Sequence, residues 1–149
     1  MDERGTIEIR VSGSKGNLEL SPDRYDIKEI AQMFDAVESI LFSGNKKQRP
    51  EITYSIESGS VRHVFKTSFQ SIVAVSAILA NVLETGSIDK LELPTARAIE
   101  KLQTDAISKN YEFTICTSEW RGGELRITPQ THYRRSEEIW VDAEIYLYG

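Results

Sequence analysis

The segment from residue 51 to residue 84 constrains the fold most, because strict alternation changes there directly into a long apolar run. Apolar and polar residues alternate on both sides of Ser58-Gly59, which predicts a β-hairpin. A two-residue turn at Ser58-Gly59 would set the register of the two strands. The predicted pairs on the apolar face are Ile56 with Val61, Tyr54 with His63, and Ile52 with Phe65.

The apolar run that follows predicts the central helix of the domain. Thr67 and Gln70 have the spacing of a capping box, and Phe69 to Glu84 is apolar nearly all round. Such a helix is expected to be buried on several sides. The run is shorter than a bilayer-spanning helix needs and polar residues interrupt it, so no membrane association is predicted. Gly86 is expected to end the helix.

The first part of the chain predicts two strands and an amphipathic helix. Ile7 to Val11 alternates, and Leu18 to Leu20 returns as a short strand after a glycine-containing turn. Asp26 is a suitable N-cap for the helix that follows. The apolar stripe expected to face the core consists of Ile27, Ile30, Phe34, Val37 and Leu41, and Met33 and Ile40 widen it.

The remaining chain completes an α+β pattern. Pro94 is suited to the first turn of a third helix, which Asn110 ends. Two strands turn at Gly122-Gly123, and a last alternating strand runs from Glu138 to Tyr148. We therefore predict a single α+β domain over residues 1–149. Its mostly antiparallel sheet is backed by about three helices, in the order β-β-α-β-β-α-α-β-β-β.

Composition and charge narrow the class of protein without indicating a reaction. The chain has 149 residues, of which 40% are hydrophobic, and a net charge of -5. That length supports an ordinary core, while the acidic balance argues against a protein that coats nucleic acid. One cysteine cannot form an internal disulfide, and the charged N-terminus lacks a signal-peptide apolar region. A cytoplasmic location is expected.

No catalytic set, metal site or cofactor motif is evident in the sequence. His63 and His132 are the only histidines, too few and too isolated for a zinc site. The glycines at residues 13–16 match neither a Walker loop nor a dinucleotide fingerprint, so no cofactor is predicted. His63 is expected to be structural or interfacial, with a ligand contact or acid–base role as the alternative. Cys116 is expected to act as a small hydrophobe in a strand.

Two groups of residues are candidate binding surfaces. The basic-aromatic segment, residues 120–135, resembles a patch for single-stranded nucleic acid or phosphate. Acidic residues interleave it, however, and solvated loops are the favoured interpretation. Its candidate residues are Trp120, Arg121, Arg126, Tyr133, Arg134 and Arg135.

The last predicted strand carries the second candidate surface. Trp140, Tyr146 and Tyr148 share one face of it and form a predicted interface with a protein partner or a second copy of the chain. Asp142 and Glu144 lie on the same face. Their spacing leaves paired acid–base chemistry or a hard-metal site open, but a solvated or interface-facing strand is favoured.

A resemblance to a group of known domains adds context. Asp26 to Ile30, and the hairpin Ser58 to Thr67 leading straight into an apolar helix, resemble uncharacterised bacterial domains of unknown function found at the N-terminus of longer proteins. The resemblance implies no catalytic residue. With the abrupt end of the chain after an aromatic strand, it leads us to expect the N-terminal domain of a longer protein.

Three classes of function remain open at this point. The leading hypothesis is a non-catalytic interaction or assembly domain, because no set of acid, base and nucleophile is recognisable in the sequence. The second hypothesis is a nucleic-acid-binding module that uses residues 120–135. The third is an enzyme whose site, drawn from residues such as His63, Asp142 and Glu144, assembles only in three dimensions.

Overall fold

The computed structural model describes residues 4–15, 18–21, 25–42, 49–57 and 61–133. These residues form seven strands and three helices, and the α+β class and antiparallel sheet predicted from the sequence are confirmed. The elements in chain order are β1 (Arg4–Ser12), β2 (Ser14–Lys15), β3 (Leu18–Glu19), α1 (Ile27–Leu41), β4 (Thr53–Glu57), β5 (Val61–Ser68), α2 (Phe69–Thr85), α3 (Leu93–Lys109), β6 (Glu112–Thr117) and β7 (Leu125–Ile127).

The main sheet has five strands in the order β4-β5-β1-β6-β7, and each neighbouring pair is antiparallel. β1 lies at the centre, so both of its edges are occupied by strands distant in sequence. The short strand predicted at Leu18 to Leu20 therefore has no edge of β1 to join. It is shorter than predicted, at Leu18–Glu19, and pairs with β2 in a separate two-stranded hairpin.

The two faces of the sheet differ in polarity. Ile7, Ile9 and Val11 of β1 are fully buried on the face that the helices cover. α2 approaches this face so closely that a methyl group on Gly5 would lie 2.9 Å from the Cβ of Ile72, a contact that requires glycine at that position. The opposite face carries mostly polar side chains, among them Glu8, Arg10, Arg62 and Lys66.

The predicted β4–β5 hairpin is present, but its register differs from the prediction by two residues. Tyr54 lies opposite Phe65 and Ile56 opposite His63. Because side chains alternate with a period of two, both registers place the same residues on the same face. The hydrophobic pattern therefore could not distinguish the two registers. The predicted turn at Ser58-Gly59, on which the choice of register depended, lies outside the described residues.

α2 begins at Phe69 as predicted, but its N-cap lies one residue later than predicted. The Ser68 hydroxyl, not that of Thr67, accepts from the backbone N–H of Ser71 at 3.3 Å. Thr67 is instead the last core position of β5, and its hydroxyl donates to the carbonyl of Glu51 at 3.0 Å. Gly86 ends α2 in the left-handed conformation, φ 68°, as predicted.

The expectation that α2 is buried on several sides is wrong. Its buried residues are Ile72, Val75, Ser76, Leu79 and Val82. Val73 and Leu83 are exposed on the opposite side. α2 packs one face on the sheet, where β1, β5, β6 and β7 contact it, while α1 covers only part of the remainder.

α1 buries only part of the apolar stripe that the sequence pattern predicts. Asp26 caps it as expected, accepting from the N–H of Lys28 at 2.8 Å. Met33, Val37 and Ile40 of the stripe are buried as predicted, together with Glu29 and Ala36. Ile27 and Phe34 of the predicted stripe are 78% and 43% exposed. α1 is rotated toward α3, against which it packs, and one apolar edge is left beside β4.

α3 follows the sequence prediction at both ends. Pro94 lies in its first turn, and Asn110 ends it in the left-handed conformation, φ 57°. Ile107, near the C-terminal end of α3, is exposed. Within the described residues, no helix combines the length and the apolarity that crossing a bilayer requires.

Candidate functional site

A groove of about 230 Å³ lies between α1 and β4, the strand at one edge of the sheet. We call it the α1–β4 groove. Its apolar lining consists of Phe34, Val37, Ile52, Tyr54 and Phe65. A cavity of roughly 150 Å³ is enough to hold a benzene ring, so the groove has room for one large apolar side chain. It is smaller than the pockets that take drug-sized ligands.

Three aromatic rings from three elements form the wall of the groove. Phe34 of α1 meets Tyr54 of β4 edge to face, with ring centroids 4.7 Å apart and an interplanar angle of 82°. Phe34 lies in the same manner 6.0 Å from Phe65 of β5. Edge-to-face packing is a favourable aromatic geometry. The Phe34 ring is thus held in position while 43% of the residue remains exposed.

The rim of the groove carries three charged side chains. Arg49 donates from Nε to Glu38 Oε2 at 2.9 Å and from Nη1 to the carbonyl of Pro50 at 3.1 Å. This pair holds the chain before β4 against α1. Asp35 also lines the groove and is exposed. It makes no hydrogen bond or ion pair with any of the described residues.

β4 is paired on one side only within the described part of the chain. Its partner is β5, with Thr53 opposite Lys66 at one end and Glu57 opposite Arg62 at the other. An edge strand presents backbone N–H and C=O groups that no neighbour uses. The α1–β4 groove therefore adjoins a row of backbone groups able to pair with another chain.

His63 lies behind the groove and has no contact with solvent. It is fully buried, and its Nδ1 shares a hydrogen bond of 2.8 Å with the hydroxyl of Tyr54. Burial lowers the pKa of His63 to about 4, so the ring is neutral at pH 7. Its Nε2 has no hydrogen-bond partner among the described residues. This is a structural position: His63 orients Tyr54, which lines the groove.

A polar cleft on the other side of α1, facing α3, is filled by its own side chains. The buried Glu29 carboxylate accepts from Lys109 Nζ at 3.1 Å and from the Tyr111 hydroxyl at 3.0 Å. Burial, and then the bond to Glu29, raise the pKa of Tyr111. The remaining space is about 20 Å³, enough for about one water. Sequence reasoning missed this network, which combines residues from α1, α3 and the start of β6.

In residues 120–133, the described part of the basic-aromatic segment, the aromatic rings do not form one exposed patch with the arginines. The Trp120 indole lies so close over Gly123 that a methyl group there would approach within 2.1 Å, and it packs against the core. Tyr133 also packs against the core, and its hydroxyl donates to the carbonyl of Arg126 at 3.2 Å. Both rings are therefore engaged in the fold.

The guanidinium groups of the same segment are placed differently from its aromatic rings. Arg121 is exposed in a turn, and Arg126 forms an ion pair of 2.8 Å with Glu112. Arg134 and Arg135 lie outside the described residues. Nucleic-acid binding through residues 120–135 stays a prediction.

The remaining sequence-based candidates are placed only in part. Trp140, Tyr146 and Tyr148, together with Asp142 and Glu144, lie outside the described residues.

Cys116 is half-buried and its thiol lies 3.4 Å from Glu8 Oε2. Burial and the bond to Glu8 raise the pKa of Cys116 to about 11, which keeps it a thiol rather than a reactive thiolate. In the part of the chain that is described, no three His, Cys, Asp or Glu residues are grouped to hold a metal ion.

The α1–β4 groove was not predicted, although the sequence contains a signal for it. α1 has apolar residues at positions 27, 30, 33, 34, 37, 40 and 41, an arc wider than one helix face can bury against a single neighbour. The apolar residues of α1 that one neighbour cannot bury indicate that the helix makes a second apolar contact.

No protein-family model, curated protein or solved structure matches the chain. The resemblance to bacterial N-terminal domains stays a prediction, and function has to be inferred from geometry.

Proposed function

We propose that this chain acts in the cytoplasm as a non-catalytic interaction domain. Its partner is an extended segment of another protein, which pairs with β4 and places one large apolar side chain in the α1–β4 groove. The observation that carries this proposal is the position of a half-open aromatic groove of about 230 Å³ directly beside an edge strand.

The arrangement fits peptide recognition by strand addition. In that mode, backbone hydrogen bonds to a free sheet edge supply affinity, while pockets for alternate side chains supply specificity. β4 offers the edge, and Phe34 of the flanking helix α1 contacts Tyr54 of this strand. Phe34 and Tyr54 offer aromatic surface above the buried Phe65, and aromatic residues are enriched at the energetically dominant positions of interfaces.

Polar side chains with unusual environments do not favour a catalytic alternative. His63 is buried and neutral, Glu29 is satisfied by two donors, and the pKa of Cys116 is raised. The groove itself is lined by apolar side chains with charges only at the rim. Binding without chemistry is the simplest use of such a surface.

A selection from a displayed random-peptide library tests the proposal. Enriched peptides would be synthesised, and their affinities measured by fluorescence anisotropy for the wild type, Phe34→Ala and Leu83→Ala. Leu83 is the matched control, since it is 50% exposed on α2 away from the groove. We expect Phe34→Ala to weaken binding about 30-fold, the effect of losing a hot spot of about 2 kcal/mol, and Leu83→Ala to leave it unchanged.

A second measurement separates strand addition from other binding modes. In an antiparallel pair, alternate residues direct their N–H groups toward the neighbouring strand. N-methylation of one alternate set of peptide amides should abolish binding, and N-methylation of the other set should not. Equal loss from both sets would indicate a helical ligand. A dimer of the chain alone that Phe34→Ala dissociates would make a second copy the occupant. Either result would overturn the proposal as stated.

A further inference from the structure

The direction of the backbone hydrogen bonds can be followed from strand to strand across the main sheet. Along a strand, the N–H and C=O groups of successive residues point alternately to its two sides. The N–H of Ser118 donates to the carbonyl of Thr6 at 3.0 Å, so the even-numbered residues of β1 bond toward β6 and the odd-numbered ones toward β5. Because Ile7 lies opposite Phe65, the odd-numbered residues of β5 bond to β1 and its even-numbered residues bond to β4.

The same alternation identifies the backbone groups of β4 that face its open edge. Odd-numbered residues of β4 lie opposite even-numbered residues of β5, so the N–H and C=O groups of Thr53 and Ser55 bond to β5. The carbonyl of Glu51 points the same way, since it accepts from the Thr67 hydroxyl of β5. The N–H and C=O groups of Tyr54 and of the other even-numbered residues therefore point away from the sheet, where the described part of the chain places no strand.

The opposite edge of the sheet is obstructed. β7 has only three residues, and by the same alternation the carbonyl of Arg126 points outward. This carbonyl accepts a hydrogen bond of 3.2 Å from the Tyr133 hydroxyl, so a side chain of the domain itself occupies the position that an added strand would use. Within the described residues, no side chain makes such a bond to the backbone of Tyr54, and β4 is the edge that can be extended.

Tyr54 combines an outward-facing backbone with a side chain in the α1–β4 groove. It is the groove residue that lies within β4, and its ring contacts Phe34. Residues directly opposite each other on paired strands have their side chains on the same face. A residue opposite Tyr54 on an added strand would therefore direct its side chain to the groove, and its two neighbours would face the polar side of the sheet beside Thr53 and Ser55.

Resting on the proposed function, we infer that the bound segment runs antiparallel to β4 and places its large apolar residue, the anchor, directly opposite Tyr54. The anchor then exchanges two backbone hydrogen bonds with Tyr54 and fills the groove with its side chain. The recognised motif is a large apolar residue between two polar ones. Antiparallel addition continues the pairing of every neighbouring pair in the main sheet and is slightly more stable per residue than parallel addition.

Single N-methylations of the tightest peptide whose binding depends on Phe34 test the direction of the segment. We expect N-methylation of the anchor to weaken binding about tenfold or more, and N-methylation of either neighbour, the matched control, to change it less than about twofold. In a parallel pair the two neighbours, and not the anchor, would bond to Tyr54. The reverse result would therefore overturn the inference and leave the proposed function standing. Equal effects at all three positions, or no Phe34-dependent peptide at all, would overturn both.

Proton–proton contacts measured by NMR in the same complex test the register. Thr53 and Ser55 would form non-hydrogen-bonded pairs with the added strand, in which opposing Cα atoms are about 4.5 Å apart. We expect Hα–Hα contacts of Ser55 with the residue before the anchor and of Thr53 with the residue after it. Contacts displaced by two residues would place the anchor opposite Ile52 or Ile56, which would overturn the inference while leaving strand addition intact. An absence of Hα–Hα contacts with β4 would overturn both.

Discussion

The two sides of α1 pack against their neighbours in different ways. Toward α3, the helix buries Glu29, whose carboxylate is satisfied by Lys109 and Tyr111, and almost no space remains around this carboxylate. Toward β4, it presents Phe34 to a groove of about 230 Å³ that side chains leave open. The cleft around Glu29 is polar and filled, and the groove beside Phe34 is apolar and open.

We expect the two sides of α1 to serve different purposes. A buried carboxylate attracts attention as a catalytic candidate, yet the partners of Glu29 account for its position. Exposed aromatic surface costs free energy in water, and a helix that keeps Phe34 half exposed leaves a surface that association would bury. The polar side is therefore predicted to govern stability, and the apolar side to govern binding.

Removal of the Glu29 carboxylate should have the largest effect. Glu29→Ala leaves the buried Tyr111 hydroxyl and the Lys109 ammonium without their acceptor, which we expect to cost about 3 kcal/mol of the free energy of unfolding. Asp35→Ala, on the same helix but exposed and unpaired, should change it by less than about 0.5 kcal/mol. Urea unfolding measures both, and equal effects would contradict a structural role for the Glu29 network.

Two adjacent residues test which face of α1 is buried. Met33 is 3% exposed and Phe34 43%, although the sequence pattern placed Phe34 on the core-facing stripe. We expect Met33→Ala to cost about 2–3 kcal/mol and Phe34→Ala about 1 kcal/mol, measured by the same unfolding experiment. The reverse ranking would mean that Phe34, and not Met33, faces the core.

His63 should make stability depend on pH. Its pKa is about 4 in the folded chain against about 6.5 in an unfolded one, so the unfolded state binds more protons between these values. Stability is therefore complete above pH 6.5 and falls as pH is lowered toward 4, by about 2 kcal/mol at pH 5. His63→Gln should flatten this part of the profile. An unchanged slope in the variant would assign the dependence to other groups.

The local elements of this fold could be predicted from sequence, because their signals lie within a few residues. Alternation located β5 and β6, and cap chemistry located Asp26, Gly86 and Asn110. Which strands pair with one another in the sheet could not be predicted in this way. The central position of β1 depends on pairing Ile9 with both His63 and Ile115, contacts between distant segments that no local pattern encodes.

The candidate site was missed for a related reason. Its residues come from α1, the chain before β4, β4 and β5, and each of them has an ordinary structural explanation when considered alone. Phe34 fits a core stripe and Tyr54 fits a strand face. In the fold, the Glu29 side of α1 contacts Lys109 and Tyr111, and Phe34 lies against Tyr54 beside the groove. These are contacts between distant segments that the pattern of α1 alone does not indicate.

Mapping a bound peptide onto the sheet tests the central claim most directly. Backbone amide signals of the uniformly ¹⁵N-labelled chain would be followed by NMR during titration with the best selected peptide. We predict shift changes concentrated at Phe34, Asp35 and residues 49–57, with alternate amides of β4 becoming protected from hydrogen exchange. Changes centred on residues 120–133 or on α2, with β4 exchange unaltered, would contradict the account.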